Sequence, residues 1–249
     1  VDLLLFSNST NHGGRPYAHA LPEIRDFLAG VEDALFVPYA LADHDAYTAK
    51  VADAFAPAGV ALRGLHREAD PVAAVASAGA VVVGGGNTFR LLRSLQGQGL
   101  DVAIREAVRA GTARYVGASA GTNITAPTIR TTNDMPIVEP GSFAALGLVP
   151  FQINPHFIDA DPTSTHMGET RETRLLEFLE ENDVPVLGLR EGTHLRVSGD
   201  GRARSCVVGG TSVAVRGGGP AIVFRRGKDP EEVSGDVSSL LDERVAFDG

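Results

Sequence analysis

The stretch ARYVGASAGTN, residues 113–123, decides the architecture. ARYV is a short apolar run and reads as a buried strand. The residues that follow are small, then polar, and open a helix. A strand that feeds a helix this abruptly needs a corner that only small side chains clear. The same grammar recurs upstream. DLLLFS (2–7), ALFVPYA (34–40), GVALRGLH (59–66) and GAVVVGGG (79–86) read as four more strands. Helix-length segments separate them at 17–29, 44–56, 70–78 and 87–110, the last broken near Gly97 and Gly99. Alternating βα units predict an α/β fold with a mostly parallel sheet covered on both faces. Ligands of such sheets bind outside the carboxyl ends of the strands.

Downstream the pattern changes. Residues 124–166 are rich in Pro, Thr, Asn and Asp and weakly periodic, which predicts a long loop, functional or disordered. GETRETRLLEFLEEN (168–182) predicts a helix, with Leu175, Leu176 and Leu179 on one face, and VPVLGLREG (184–192) a strand and turn. From 194 onward come short strands, HLRVSGDGRARSCVV, TSVAVRGGG and AIVFRRG. SGDG at 198–201 is a hairpin signal. These strands predict an antiparallel extension of the same sheet. The expected organisation is one domain over 1–228 and a polar, frayed tail over 229–249.

Composition narrows the function. The chain has 249 residues, 43% of them hydrophobic, enough for a sizeable core. A net charge of −9 argues against a nucleic-acid partner, which needs a basic face. No run of about eighteen apolar residues marks a membrane span. Cys206 is the single cysteine, so no disulfide forms within the chain, and a reducing cytoplasmic setting is expected. Flanked by small apolar residues, it reads as a core residue.

GASAG (117–121) also fits the G-x-S-x-G pattern of a nucleophile elbow, with Ser119 at its apex. The competing reading is a small-residue corner that packs helix on sheet. A nucleophilic serine needs a base in hydrogen-bond reach and an orienting group behind it. Of seven histidines, His156 stands out. It follows Asn-Pro in FQINPHF (151–157), just past a strand end, where a site belongs. His12, His19, His44 and His66 read as surface residues, while His166 falls in a polar loop and His194 opens a hairpin strand. Two acids compete to orient His156: Asp134, in RTTNDMPIV, and Glu191, after the strand of LGLREG. An oxyanion would be held by the Ala120 N–H and by that of Gly85 or Gly86 in GGGNT (84–88). That glycine loop is not a dinucleotide motif, because Phe89 stands where the last glycine belongs, and no Gly-Lys-Ser/Thr makes it a P-loop. No His-x-x-x-His or cysteine pair suggests a metal.

LLLFSNST, VVVGGGNTFRLL, GASAGTNITAPTIRTTNDMPIV, QINPHF and GETRE together resemble the peptidase E family of serine peptidases, the aspartyl dipeptidases. The resemblance implies an α/β sandwich similar to class I glutamine amidotransferases, with serine in place of cysteine. It implies cleavage of dipeptides with N-terminal aspartate, no cofactor or metal, and a homodimer. Its nucleophile falls on Ser119 and its histidine on His156, and its third member on either Asp134 or Glu191. The more rigid strand-end position favours Glu191. For the aspartate side chain, Arg171 in GETRE is the first candidate cation and Arg130 the second, with Asn87 and Thr88 adding polar contacts. Two other readings compete. One is a cyanophycinase-like hydrolase of β-aspartyl links. The other is a ligand-binding protein with an idle elbow.

Overall fold

The computed structural model describes residues 1–31, 33–163, 165, 167–199, 204–210 and 220–243. The first half is the expected alternation. Strands β1 (Leu3–Phe6), β2 (Asp33–Val37), β3 (Ala61–Gly64), β4 (Ala80–Val83) and β5 (Arg114–Ala118) are interleaved with helices α1 (Leu21–Phe27), α2 (His44–Phe55), α3 (Pro71–Ser77), α4 (Thr88–Gly97) and α5 (Leu100–Ala110). The break between α4 and α5 falls at Gly99, whose φ of 68° is left-handed. Asp43, Asp70 and Asn87 cap α2, α3 and α4 through side-chain oxygens that accept backbone N–H groups. After β5 come the one-turn helix α6 (Ala120–Asn123), β6 (Gln152–Phe157), α7 (Arg171–Glu181), β7 (Val186–Arg190), β8 (Thr193–Gly199), β9 (Arg204–Gly210), β10 (Ala221–Phe224), β11 (Glu231–Val233) and β12 (Gly235–Asp236).

The main sheet has eight strands in the order β12-β9-β8-β1-β5-β4-β2-β3. β1, β5, β4, β2 and β3 are parallel, and β8, β9 and β12 extend the sheet antiparallel beyond β1. Period-2 alternation splits its side chains between two cores. Leu4, Phe6, Phe36, Val82 and Val116 pack against Ile24, Phe27, Val51 and Phe55 of α1 and α2. Leu3, Leu5, Leu35, Val81, Val83 and Tyr115 share the other core with α3, α4 and α5 through Val75, Leu92, Leu95, Ile104 and Val108.

The expected single sheet is corrected at its far end. β7 and β10 do not extend the main sheet. They form a second, four-stranded sheet in the order β11-β10-β7-β6. Both faces of these strands are apolar. Leu187, Leu189, Ala221 and Val223 face the second core, while Val186, Ile222 and Phe224 meet Leu175 and Leu179 of α7. A strand apolar on both faces does not declare which edge it will join. The tail is corrected as well. β11 and β12 pair with β10 and β9, and Val237, Leu240 and Leu241 are buried, so residues 231–242 are docked by apolar contacts. The turn at 200–203, the segment 211–219, His166 and residues 244–249 lie outside the described residues. No helix among the described residues is long and apolar enough to cross a membrane.

Candidate active site

The elbow exists because its glycines let backbones touch. A Cβ on Gly117 would sit 2.6 Å from Gly121 O, and one on Gly121 would sit 2.2 Å from Val83 O. With those side chains absent, the chain turns within one residue, and Ser119 takes φ 54° and ψ −111°. A positive φ at a non-glycine residue stores strain of order 1–3 kcal/mol. The Ser119 N–H donates to Phe6 O (3.1 Å), and Ser119 O accepts from Thr122 and Asn123, both at 2.9 Å, which holds that conformation.

His156 comes from the second sheet. It is not past the strand end, as expected. It lies inside β6, at an irregularity where the pairing with β7 shifts between Asn154 and Phe157. It too has positive φ, 54°. The bulge aims the imidazole across the gap between the two sheets. Its Nε2 lies 3.0 Å from Ser119 Oγ, and its Nδ1 lies 2.6 Å from Glu191 Oε1. Glu191 is the first residue after β7, beside β6. The His156 and Glu191 side chains are 36% and 37% exposed, so the relay is open to solvent. Ser119, His156 and Glu191 therefore stand in a continuous hydrogen-bonded line.

Asp134 is elsewhere. Its Oδ2 accepts the Thr88 N–H at 2.7 Å and the Thr88 hydroxyl at 2.6 Å, and makes no bond to the imidazole. Thr88 also accepts from Thr132 (3.0 Å) and is 1% exposed, so it fixes the loop to the start of α4. Asn87 is bonded in a similar way. Its Oδ1 caps α4 at Arg90 N, and its amide donates to Met135 O. Asn87 and Thr88, expected to contact substrate, thus also hold the loop to the scaffold. Arg130 donates to Asn182 Oδ1, beyond the carboxyl end of α7, whereas Arg171 begins that helix. An eleven-residue helix separates the two ends by about 16 Å.

Arg171 is placed differently. Its neighbour Glu169 pairs with Arg174 instead, and no carboxylate among the described residues reaches Arg171 within ion-pair distance. Burial and the Arg174 charge push its pKa down, and the Asp134 charge opposes them. A half-buried guanidinium next to a carboxylate it does not bind is a cation with capacity left for another anion.

The glycine loop meets the elbow directly. A Cβ on Gly85 would lie 3.0 Å from Ser119 Cβ, and one on Gly86, at φ 132°, would lie 2.6 Å from Ala40 O. Tyr47 donates to Gly85 O at 3.0 Å, and burial pushes its phenol up to about 12, so it remains a donor. Among the described residues, the N–H groups of Gly85, Gly86 and Ala120 donate to no protein acceptor. No group of three or more His, Cys, Asp or Glu side chains among the described residues could hold a metal ion. Sequence reasoning gave no role to Ser7 and Asn8, although it quoted the LLLFSNST motif that contains them.

The fold and this site define an α/β serine hydrolase. The particular family follows from comparison: a model of peptidase family S51 matches residues 3–204, and the chain belongs to that family. Peptidase E of Streptomyces coelicolor is 58% identical over 250 residues, covering 100% of this chain and 98% of that one. A Drosophila melanogaster protein named "Probable alpha-aspartyl dipeptidase" is 52% identical over 201 residues, or 80% of this chain and 84% of that one. The solved structure of a peptidase from an acI-B1 Actinobacterium shares the fold with TM-score 0.60 at 16% identity, covering 94% of this chain and 93% of that one. The protein is a peptidase.

Proposed function

We propose that the protein hydrolyses dipeptides with an N-terminal aspartate through an acyl-enzyme on Ser119. The observation that carries the reading is the unbroken line from Ser119 Oγ through His156 to Glu191. The names of the similar proteins, peptidase E and alpha-aspartyl dipeptidase, support the choice of substrate. His156 Nε2 takes the Ser119 proton as Oγ attacks the carbonyl that follows the aspartate. Glu191 stabilises the imidazolium formed in that step. The negative oxygen is received by the N–H of Ala120 and by that of Gly85 or Gly86. His156 then protonates the leaving amine, and water, activated by the same imidazole, releases aspartate.

An N-terminal aspartate carries a carboxylate close to an ammonium. Arg171, with no carboxylate partner among the described residues, suits the first. Asp134, with one oxygen committed to Thr88 and the other uncommitted among the described residues, suits the second. A neutral side chain would leave the guanidinium unpaired, which discriminates strongly. We further read the architecture as that of class I glutamine amidotransferases, the assembly as a homodimer, and the setting as cytoplasmic.

The test is release of free aspartate from Asp-Leu by the wild type and by Ser119→Ala, with Leu-Asp and Asn-Leu as controls. Cleavage of Asp-Leu alone, abolished in the variant and insensitive to a chelator, is expected. A folded wild type that cleaves β-Asp-Arg material but not Asp-Leu would overturn the substrate assignment. Absence of any hydrolysis would overturn the mechanism.

A further inference from the structure

β1 ends at Phe6, yet the next two residues are buried and polar: Ser7 is 0% and Asn8 1% exposed. Buried hydroxyls and amides are kept where their bonds are made. Here the bonds go to the two segments that carry His156 and Glu191. Ser7 Oγ donates to Leu189 O at 2.8 Å and accepts the His156 N–H at 2.9 Å. The Ser7 N–H donates to Thr193 O at 3.0 Å. Asn8 Oδ1 accepts the Gly192 N–H at 2.7 Å, while its amide is oriented by Thr10 O and Asn11 Oδ1. Residues 7 and 8 thus grip the chain at 189, 192 and 193, on both sides of Glu191, and hold the backbone of His156.

His156 needs that grip. Its φ of 54° is unfavourable for a side chain with a Cβ, and it lies where the β6–β7 ladder is interrupted. The lost ladder contact is replaced by the Ser7 hydroxyl. That atom works in both senses, giving its proton to Leu189 O and leaving a lone pair for His156 N–H. Among neutral side chains this short, only a hydroxyl does both. The preceding residue completes the arrangement, since Phe6 O accepts the Ser119 N–H. One strand end therefore registers the nucleophile, the imidazole and the carboxylate, although they come from two different sheets.

We propose that Ser7 and Asn8 are positioning residues for the Ser119–His156–Glu191 relay, clamping the strand ends of the second sheet to the strand beside the nucleophile. Neither contacts substrate in this scheme. Both act through His156 and Glu191, so the inference rests on the reading of that relay as the acting group.

The test uses Ser7→Ala, Ser7→Thr, Asn8→Ala and Asn8→Asp in the full chain. Three quantities are read: kcat and KM on Asp-Leu, the rate at which phenylmethylsulfonyl fluoride modifies Ser119, and thermal unfolding. Small displacements of reacting groups cost up to about 10²-fold. Ser7→Ala and Asn8→Ala are expected to lower kcat and the modification rate by about 10- to 100-fold while KM stays nearly constant. Ser7→Thr, which keeps the hydroxyl, is expected to recover most of the loss, and Asn8→Asp, which keeps the acceptor for Gly192 but loses the donors to Thr10 O and Asn11 Oδ1, part of it. A folded Ser7→Ala or Asn8→Ala with unchanged kcat would overturn the proposal. So would a loss confined to thermal stability. If Ser7→Ala does not fold, Asn8→Ala and its Asp rescue decide alone. If the wild type ignores Asp-Leu but is modified at Ser119, the substrate reading fails, and the modification rates still decide the positioning role.

Discussion

At residue scale the site separates two carboxylates. Glu191 faces the imidazole at 2.6 Å, and Asp134 faces Thr88. The expected consequences differ in kind. Glu191→Gln keeps the shape but removes the charge that stabilises an imidazolium, and kcat is expected to fall by about 10²- to 10⁴-fold. Asp134→Asn leaves the relay intact and is expected to act chiefly on KM for Asp-Leu, because an ammonium would lose its counter-charge. Steady-state kinetics on both variants check this; equal losses of kcat would show that the two acids are not divided in this way. Cys206 illustrates the opposite case. Burial, with a smaller contribution from Asp236, pushes its thiol up to about 12. A thiol reagent such as Ellman's is expected to label it at neutral pH only after unfolding. Rapid labelling of the native protein would contradict a core role.

At the scale of elements, the corner between β5 and α6 depends on backbone contact. Gly121→Ala puts a methyl 2.2 Å from Val83 O, and backbone cannot yield as a flexible side chain does. A loss of about 1–3 kcal/mol or more is expected from urea unfolding, together with loss of activity as Ser119 shifts. Wild-type stability and activity in this variant would mean that the corner relaxes at no cost. Such local requirements are what a sequence displays well. The five parallel strands, their helices, the elbow and His156 were legible because periodicity and small-residue spacing are local. Glu191 was legible only as one of two acids, since the choice depends on β7 lying beside β6. The second sheet was not legible, because strands apolar on both faces carry no record of their neighbours. Nor was the order in the 124–151 loop. There Thr131 donates to Ile153 O and Asn133 to Pro155 O, joined by Asn123 of α6 at Ile153 O, so polar side chains stand in for strand partners along β6. The scaffold bonds of Arg130, Asn87 and Thr88 were not legible for the same reason: polar loop residues look alike whether they face a ligand or the scaffold.

At the scale of the whole molecule, the N-terminal and C-terminal halves meet at a second polar cluster away from the relay. His19, from the turn before α1, and His194, from β8, lie against the ring of Phe6, and the charge of Glu23 in α1 acts on both. Both nitrogens of His19 and one oxygen of Glu23 are buried without a partner among the described residues. Burial lowers the pKa of each histidine; the Glu23 charge opposes this, and at His194 the charges of Arg196 and His19 add to it. The unfolded chain binds these protons near the ordinary imidazole pKa of about 6.5, the folded chain only at lower pH. Where the unfolded state binds more protons, stability rises with pH. The contribution is therefore fully present above about pH 6.5 and is lost as pH falls through the window between that value and the lowered folded ones. Thermal unfolding of the wild type and of His194→Gln, followed from about pH 7.5 down to pH 5, isolates the effect from the carboxylates, which titrate lower. The wild-type Tm is expected to fall more steeply than that of the variant over this range. Parallel curves would mean that His194 is protonated as readily in the folded chain as in the unfolded one, and that this junction places no acid limit on the fold.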